Sequence, residues 1–221
     1  MSFFTVRLDG DAVVLLDQRR LPGEEVYVRL ESGEAVARAI EDMTVRGAPA
    51  IGVTAAMGVA VELAHAPDAE LEPALGRAIE RLGRTRPTAV NLRWALERMS
   101  AALGRARATG ASPAALREAA RREAQRIADE DVASCRAIGD AGAELVPPGA
   151  RVLTHCNAGA LATAGYRTAL GVIRSAARAG GSRTWWRRRR ARSCRARGSP
   201  PGSSHERASR CGCAPTRWAG R

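Results

Sequence analysis

The most reactive side chains of the sequence stand side by side in THCNAGALATAGYRTALG, residues 154–171. His155 and Cys156 open this stretch, and Gly, Ala and Thr dominate the rest. A thiol can exchange protons near neutral pH when a helix N-terminus or a cation lowers its pKa. Cys156 is therefore a candidate catalytic thiol. The open alternative is a small buried residue, which is the usual role of a lone cysteine.

The residues around this cysteine predict a strand, a turn and a helix. Pro147, Pro148 and Gly149 indicate a hinge, residues 151–154 a short strand, and residues 160–177 a helix. In an α/β domain, the carboxyl end of such a strand meets the N-terminus of the next helix at the ligand crevice. Free N–H groups there favour an anion, and small side chains let the backbone approach a phosphate.

Two arginines stand in segments that suit a phosphate as well. In VRGAPAIG, Arg46 directly precedes Gly47 and Ala48, and in RPTAVNLRWAL, Arg86 stands at the predicted start of a helix. A guanidinium can bind a phosphate through two parallel hydrogen bonds. The alternative is that both are solvated charges at helix ends. His155 has no second ligand at metal spacing, so we predict no metal site and favour a packed, hydrogen-bonded histidine.

Residues 1–146 predict a domain with a small β-sheet and a helical bundle. Short β-prone runs at residues 13–16 and 26–30 flank a Pro-Gly turn. Ser32 and Ser112 are predicted helix N-caps, the latter followed by proline. Further helices are predicted in three stretches, which are residues 50–64, 70–82 and 91–103. Residues 147–182 would then begin a second, α/β domain.

Composition limits the compartment and the partners. No run of 18 apolar residues and no signal peptide is visible, so we expect no membrane span and a cytoplasmic location. Five cysteines, an odd number, indicate free thiols in a reducing compartment rather than a disulfide framework.

The net charge of +12 belongs almost entirely to the end of the chain. Residues 1–182 hold 23 Arg against 22 Asp plus Glu, whereas residues 183–221 hold 12 Arg against the single Glu206. This tail has no helical or strand period, and we expect it to be disordered. A basic arm that binds nucleic acid, with Trp185, Trp186 and Trp218 stacking on bases, is the less favoured alternative.

Several segments, in order, resemble the S-methyl-5-thioribose-1-phosphate isomerases of methionine salvage. They are DAVVLLDQRRLPGEEVYV, EDMTVRGAPAIGV, RPTAVNLRWAL, EDVASCRAIGDAGAEL and VLTHCNAGALATAGYRTALGVIR. The resemblance runs from about Asp11 to Arg174. It departs at Arg167, where the family pattern has glycine. Ribose-1,5-bisphosphate isomerases and the regulatory subunits of translation initiation factor 2B are similar, but the DQRRLP segment favours the thioribose phosphate enzymes.

The resemblance implies an N-terminal sheet-and-helix domain, a C-terminal Rossmann-like domain, a homodimer and no cofactor. It implies the conversion of an aldose 1-phosphate, a small sugar phosphate, into a ketose 1-phosphate. Cys156 would be the catalytic thiol. By the same resemblance, Arg46, Gly47, Ala48 and Arg86 would bind the phosphate and the sugar.

After residue 174 the family's ETRP, QGARLTAWEL and aspartate-bearing segments are missing, and WWRRRRARSCRARGSPPGSS stands in their place. With suitable synonymous codons, the bases for residues 185–203 regrouped one position earlier encode VVAEETRPVLQGARLTAWE. The same regrouping later yields an Asp-Ala-Met segment. We therefore interpret residues 183–221 as an out-of-frame tail on an incomplete Rossmann-like domain, and expect the chain as written to be inactive.

Overall fold

The structure, a computed structural model, describes residues 3–155, 158–166, 168–178 and 184–188, and for residues 155 and 184–188 it describes the backbone. The chain is a mixed α/β protein that is mostly helical, which confirms the predicted fold class. Its strands are β1 (Val6–Asp9), β2 (Ala12–Leu16), β3 (Tyr27–Leu30), β4 (Arg151–His155) and β5 (Thr184–Arg188). Its α-helices are α1 (Gly33–Glu41), α2 (Ala48–His65), α3 (Leu71–Gly83), α4 (Val90–Ala108), α5 (Pro113–Ala143) and α6 (Ala169–Arg178).

The first three strands form an antiparallel sheet in the order β1-β2-β3. Gly10 lies in the tight β1–β2 turn with a φ of +59°, a conformation that glycine adopts without steric cost. Every residue of β2 is buried, so its apolar run AVVLL fits a strand covered on both faces. The sequence predicts β2 and β3 but misses β1, whose VRLD gives too short an alternation to stand out.

Helix α2 is the centre of the N-terminal region and packs against α1, α3, α4 and α5. Its length and composition alone would allow it to cross a membrane, but 72% of it is buried inside the protein. Burial of this extent is typical of a core helix. Small side chains nearly all round the helix let its four neighbours pack closely.

The predicted helix caps are confirmed. The hydroxyl of Ser32 accepts the N–H of Ala35 at 3.1 Å at the start of α1. The hydroxyl of Ser112 accepts the N–H of Ala115 at 3.3 Å at the start of α5. Each cap satisfies one of the backbone donors that a helix leaves free in its first turn.

The second region begins after a turn at Gly149. Strands β4 and β5 run parallel, with Arg151 opposite Thr184 and His155 opposite Arg188, and α6 lies between them in the chain. A β-α-β unit of this kind is the building block of doubly wound sheets. Helix α6 packs along α5 of the N-terminal region. The proposed domain limits at residues 146 and 182 stay a prediction.

Two sequence-based predictions are wrong. The helix expected over residues 160–177 is a short 3-10 turn at Ala160–Ala162 followed by α6, which starts only at Ala169. The tail expected to be disordered from residue 183 begins with β5. Parallel pairing uses backbone groups that any sequence supplies, and threonine and tryptophan favour strands. The rest of the tail lies outside the described residues.

Candidate functional site

Residues 158–166, which we call the docked loop, lie against the N-terminal region. Three side chains of that region each bond a main-chain atom of the loop. The bonds are Thr5 Oγ1 to the Ala160 carbonyl (2.8 Å), Gln18 Nε2 to the Leu161 carbonyl (2.6 Å) and the Ala164 N–H to Asp131 Oδ2 (2.7 Å). All three join residues far apart in the chain, so they fix the loop's position on a surface that the N-terminal region builds.

The docked loop meets the VRGAPAIG segment at Gly47. This residue caps α2 with a φ of +107°, which only glycine adopts readily. A Cβ atom there would lie 2.6 Å from the carbonyl oxygen of Ala162, so a side chain does not fit. The N-terminus of α2 therefore faces the loop that follows the candidate thiol in sequence. A helix N-terminus of this kind can bind an anion.

Arg46 lies immediately before this turn and is largely exposed. Its guanidinium donates a long hydrogen bond of 3.4 Å to the main-chain carbonyl of Gln18. Within the described part of the chain, no carboxylate lies within 4 Å of this guanidinium. Its charge is thus not neutralised locally, which suits a residue that binds a phosphate.

Arg86 lies in the turn between α3 and α4, where Thr85 Oγ1 donates to the Leu82 carbonyl at 2.6 Å. It lines a groove of about 600 Å³ whose other walls are mainly apolar side chains of α3 and α4. No contact described here joins Arg86 to Arg46 or to the docked loop. The VRGAPAIG and RPTAVNLRWAL segments are nevertheless neighbours. A Cβ at Gly52, in the first segment, would lie 2.7 Å from the carbonyl oxygen of Asn91, in the second.

Cys156 and Arg167 lie outside the described residues. Strand β4 ends directly before Cys156, and the docked loop begins two residues after it. The N–H of Leu170, in the first turn of α6, donates to the Ala158 carbonyl at 3.3 Å. The late start of α6 therefore still brings its first turn back to the chain just after the cysteine.

The DQRR segment explains one of the three bonds to the loop. Asp17 is buried and pairs with Arg19 at 2.7 Å, and this hydrogen bond holds the pKa of the Asp17 carboxyl below its ordinary range. The main-chain N–H of Gln18 donates to the Thr44 carbonyl at 2.9 Å. The ion pair of Asp17 with Arg19 and the bond to Thr44 fix the main chain at Gln18, and from there the Gln18 side-chain amide reaches the loop.

Sequence reasoning missed Thr5, Gln18 and Asp131 as residues around the site. Gln18 and Asp131 stand in segments that carry the family resemblance, but nothing in their spacing indicates a partner more than 30 residues away. The one available signal was that Gln18 is a polar residue two positions after the end of the buried strand β2.

A second cysteine near the docked loop, Cys135, is unsuited to catalysis. Cys135 is buried on α5, and burial together with the nearby charge of Asp131 raises its pKa to about 11. It is therefore a neutral thiol at physiological pH and a poor nucleophile. Among the described residues, no group of three or more His, Cys, Asp or Glu side chains is placed to hold a metal ion.

Glycines bring α6 close to α5. A Cβ at Gly142 would lie 2.5 Å from a methyl carbon of Val172, and one at Gly139 would lie 3.1 Å from Ser175 Oγ. That hydroxyl also donates to Asp140 Oδ1 at 3.0 Å. The interface thus combines close backbone approach with a polar contact, and it fixes α6 behind the docked loop.

Curated proteins of one name match most of this chain. A methylthioribose-1-phosphate isomerase from an Anaeromyxobacter species is 58% identical over 77% of this chain and 47% of its own length. The enzyme of the same name from Geobacter metallireducens is 54% identical over 81% of this chain and 52% of its own. The chain therefore spans about half the length of the curated relatives it matches.

Two solved structures share the fold at substantial identity. The 5-methylthioribose 1-phosphate isomerase of Pyrococcus horikoshii has a TM-score of 0.77 and 38% identity, covering 83% of this chain and 51% of that one. The translation initiation factor eIF-2B subunit delta of A. fulgidus has a TM-score of 0.72 and 40% identity, covering 81% and 52%. The profile of the initiation factor 2 subunit family matches residues 44–200. The chain belongs to the initiation factor 2 subunit family.

Proposed function

We propose that the chain is the N-terminal half of a methylthioribose-1-phosphate isomerase. The reaction is the aldose–ketose conversion of S-methyl-5-thio-α-D-ribose 1-phosphate to S-methyl-5-thioribulose 1-phosphate in methionine salvage. One observation carries the proposal. The loop after Cys156 is hydrogen-bonded to Thr5 and Gln18 and lies against Gly47. The chain is also 54–58% identical to two relatives with that name.

The substrate sets the chemical demands on the site. Its phosphate is attached to the anomeric carbon, so the sugar ring cannot open to a free aldehyde without help. One group must protonate the ring oxygen while hydrogen moves between carbons 2 and 1, and general acid–base catalysis of this kind needs a group with a pKa near neutrality. We assign proton handling at these carbons to Cys156. We assign proton donation at the ring oxygen to the aspartate of the restored reading frame.

The phosphate is assigned to the α2 N-terminus. Arg46 supplies an un-neutralised guanidinium, and Gly47 and Ala48 supply backbone N–H groups at the start of α2, with no room for a side chain at Gly47. Arginine suits this role better than lysine because its fork binds two phosphate oxygens at once. Arg86 is assigned to the sugar phosphate from the α4 side. The reaction as proposed needs no cofactor.

The reading frame is part of the proposal. We infer that residues 183–221 are read out of frame and that the chain as written lacks isomerase activity. Sequencing the gene across codons 175–221 tests this directly. A one-base difference should restore ETRP, QGARLTAWE and the aspartate segment, and an early stop codon in that frame would contradict it.

Activity of the restored protein tests the assignment. Replacing Cys156 with Ser should lower kcat by about a hundredfold or more with little change in substrate binding. The matched control is Cys135→Ser, which should leave kcat unchanged because this buried thiol stays neutral and lies on α5. Arg86→Ala should mainly raise KM. Near-normal turnover of the Cys156→Ser enzyme would remove the thiol from the mechanism.

A second candidate function is that of a non-catalytic relative of the initiation factor 2B regulatory subunits. The likeness to the A. fulgidus subunit delta, at 40% identity, favours it. A restored protein that binds sugar phosphates but converts neither methylthioribose 1-phosphate nor ribose 1,5-bisphosphate would support this function. Conversion of the bisphosphate alone would instead indicate a ribose-1,5-bisphosphate isomerase.

The assembly and the compartment are inferred from the family. We infer that the intact protein is a cytoplasmic homodimer with no membrane and no nucleic-acid partner. Light scattering of the restored protein should give the mass of two chains. A salt-sensitive affinity for nucleic acid that requires residues 183–221 would count against this reading of the tail.

A further inference from the structure

Asp131 is a half-buried carboxylate on α5 that faces the docked loop. Its Oδ2 accepts the N–H of Ala164 at 2.7 Å. No arginine or histidine side chain that the structure describes lies within 4 Å of it. Burial raises the pKa of this carboxyl, and the bond from Ala164 opposes that rise. Among the described residues, the partner of this carboxylate is therefore a neutral backbone N–H group, that of Ala164.

Other buried carboxylates of the chain are held differently. Asp17 is paired with Arg19 at 2.7 Å, and Glu123 with both Arg98 at 2.5 Å and Arg126 at 2.9 Å. Taking a carboxylate out of water is costly unless a cation or several donors compensate. An asparagine at position 131 would offer the same acceptor without that cost. Packing alone therefore does not require a carboxylate there.

A carboxylate does form a stronger bond than an amide oxygen. Hydrogen bonds with one ionised partner are roughly twice as strong as neutral ones. Ala164 stands two residues after Ala162, which contacts the Gly47 turn. A strong bond at Ala164 thus fixes the part of the loop that lies against this turn.

We propose that Asp131 is a positioning residue, whose carboxylate holds the docked loop against the Gly47 turn. The thermodynamic part concerns the loop alone. The catalytic consequence rests on the proposed function, because it takes Cys156 as the reacting group. Asp131 touches no reacting atom in this assignment and acts through the Ala164 amide.

Native-state hydrogen exchange on the 221-residue chain tests the first part. Asp131→Ala should accelerate exchange in residues 158–166 by about tenfold or more, the scale of losing a charge-assisted bond. Exchange in α2 should stay the same. Asp131→Asn keeps an acceptor and should give an acceleration of about twofold or more that stays below that of the Ala variant. The matched control is Asp129→Ala, because Asp129 is exposed and bonds Gln125 of its own helix at 2.9 Å.

An Ala variant within about twofold of the Asp129 control, or one that accelerates α2 as much as the loop, would overturn the proposal. If the Ala variant does not fold, the Asn variant decides, and unchanged loop exchange overturns the proposal. The restored enzyme provides the second readout, where Asp131→Ala should lower kcat more than it changes KM. If the restored parent enzyme is inactive, the isomerase assignment is wrong, but the result of the exchange experiment still holds. If the parent is active and loop exchange is unchanged in the Asp131 variants, only the positioning role is wrong.

Discussion

The N-terminal region and the β4-α6-β5 unit differ in how their strands are covered. In the N-terminal sheet every residue of β2 is buried, and Leu15 is fully inaccessible to solvent. In the second unit Leu153 of β4 is 72% exposed. Parallel sheets normally carry helices on both faces. The first region thus has a closed core of its own, whereas β4 leaves a large apolar side chain exposed to solvent.

Contacts with the N-terminal region hold the docked loop and α6 in place. Three side chains of the N-terminal region bond the docked loop, and glycines of α5 allow α6 to pack closely. An element with few buried apolar contacts of its own opens at a lower free energy than the core. We therefore expect the order of the loop and α6 to depend on the N-terminal region, and not the reverse.

The largest expected effect comes from a matched pair of leucines. Leu15→Ala removes a fully buried side chain from β2 and should lower the free energy of unfolding by about 3 kcal/mol, since the cavity cannot be filled. Leu153→Ala, the control on β4, should change it by no more than about 0.5 kcal/mol. Urea denaturation followed by circular dichroism measures both. Equal losses would contradict the difference between the two sheets.

Gly47→Ala breaks the contact between the regions. It forces a φ of +107° on a residue with a Cβ and places that atom 2.6 Å from the Ala162 carbonyl oxygen. We expect a loss of about 2 kcal/mol, from backbone strain and overlap together. Gly76→Ala on the exposed face of α3 meets nothing within 4 Å and should instead stabilise the protein by up to about 1 kcal/mol. Similar effects of both substitutions on thermal unfolding would argue against close docking.

A smaller effect is expected at the interface of α5 and α6. The methyl group of Gly142→Ala would overlap Val172, whose side chain can shift in part. We expect a loss of about 1 kcal/mol, with faster hydrogen exchange in α6 but not in α2. Gly104→Ala in α4 has open space and is the control. Unchanged exchange in α6 would show that this interface does not hold the helix.

The smallest effect is one of pH. The bond from Arg19 lowers the pKa of Asp17 below 3.8, its ordinary value. The ionised form is therefore favoured in the folded state. This stabilisation is present above the unfolded pKa and is lost as the pH falls through the folded one. The pKa of Asp131 is raised instead, because burial disfavours its ionised form. The free energy of unfolding therefore falls as the pH rises through the folded pKa of this group.

Asp17→Asn should accordingly flatten the loss of stability below about pH 4. We expect the change to stay at about 0.5 kcal/mol because Arg19 is half exposed. Asp131→Asn should leave the free energy of unfolding at pH 7 unchanged or higher, even while the loop loosens. Thermal unfolding of both variants from pH 3 to pH 7 measures these trends. An unaltered pH profile for Asp17→Asn would contradict the ion pair.

Local patterns in the sequence predicted much of the fold but few of its long-range contacts. Ser32, Ser112 and the apolar run of α2 act within a few residues, so their elements were found. Gln18 bonds a carbonyl 143 positions away, and no periodicity indicates such a partner. The start of α6 was missed because the small residues before it suit a helix, whereas their main-chain groups bond the N-terminal region instead.

For the candidate site, the sequence indicated the segments but not their arrangement. The Gly47 turn and the loop after Cys156 lie against each other, whereas each segment alone indicated only that it suits a phosphate. The resemblance assigned Arg86 to the same ligand. The structure places Arg86 in the groove between α3 and α4, and its role in binding stays a prediction. Spacing predicts which residues lie at element ends, but tertiary packing decides which ends come together.

The amide of Ala164 provides the most direct test of whether the N-terminal region orders the loop. Its hydrogen exchange in the 221-residue chain can be followed by NMR, with the Gly47→Ala variant alongside. We expect the exchange to be slowed by about thirtyfold or more relative to an unstructured peptide, corresponding to an opening free energy of about 2 kcal/mol. The variant should lose most of this protection while α2 stays protected. Exchange of Ala164 at the unstructured rate in the parent chain would contradict the docking of the loop.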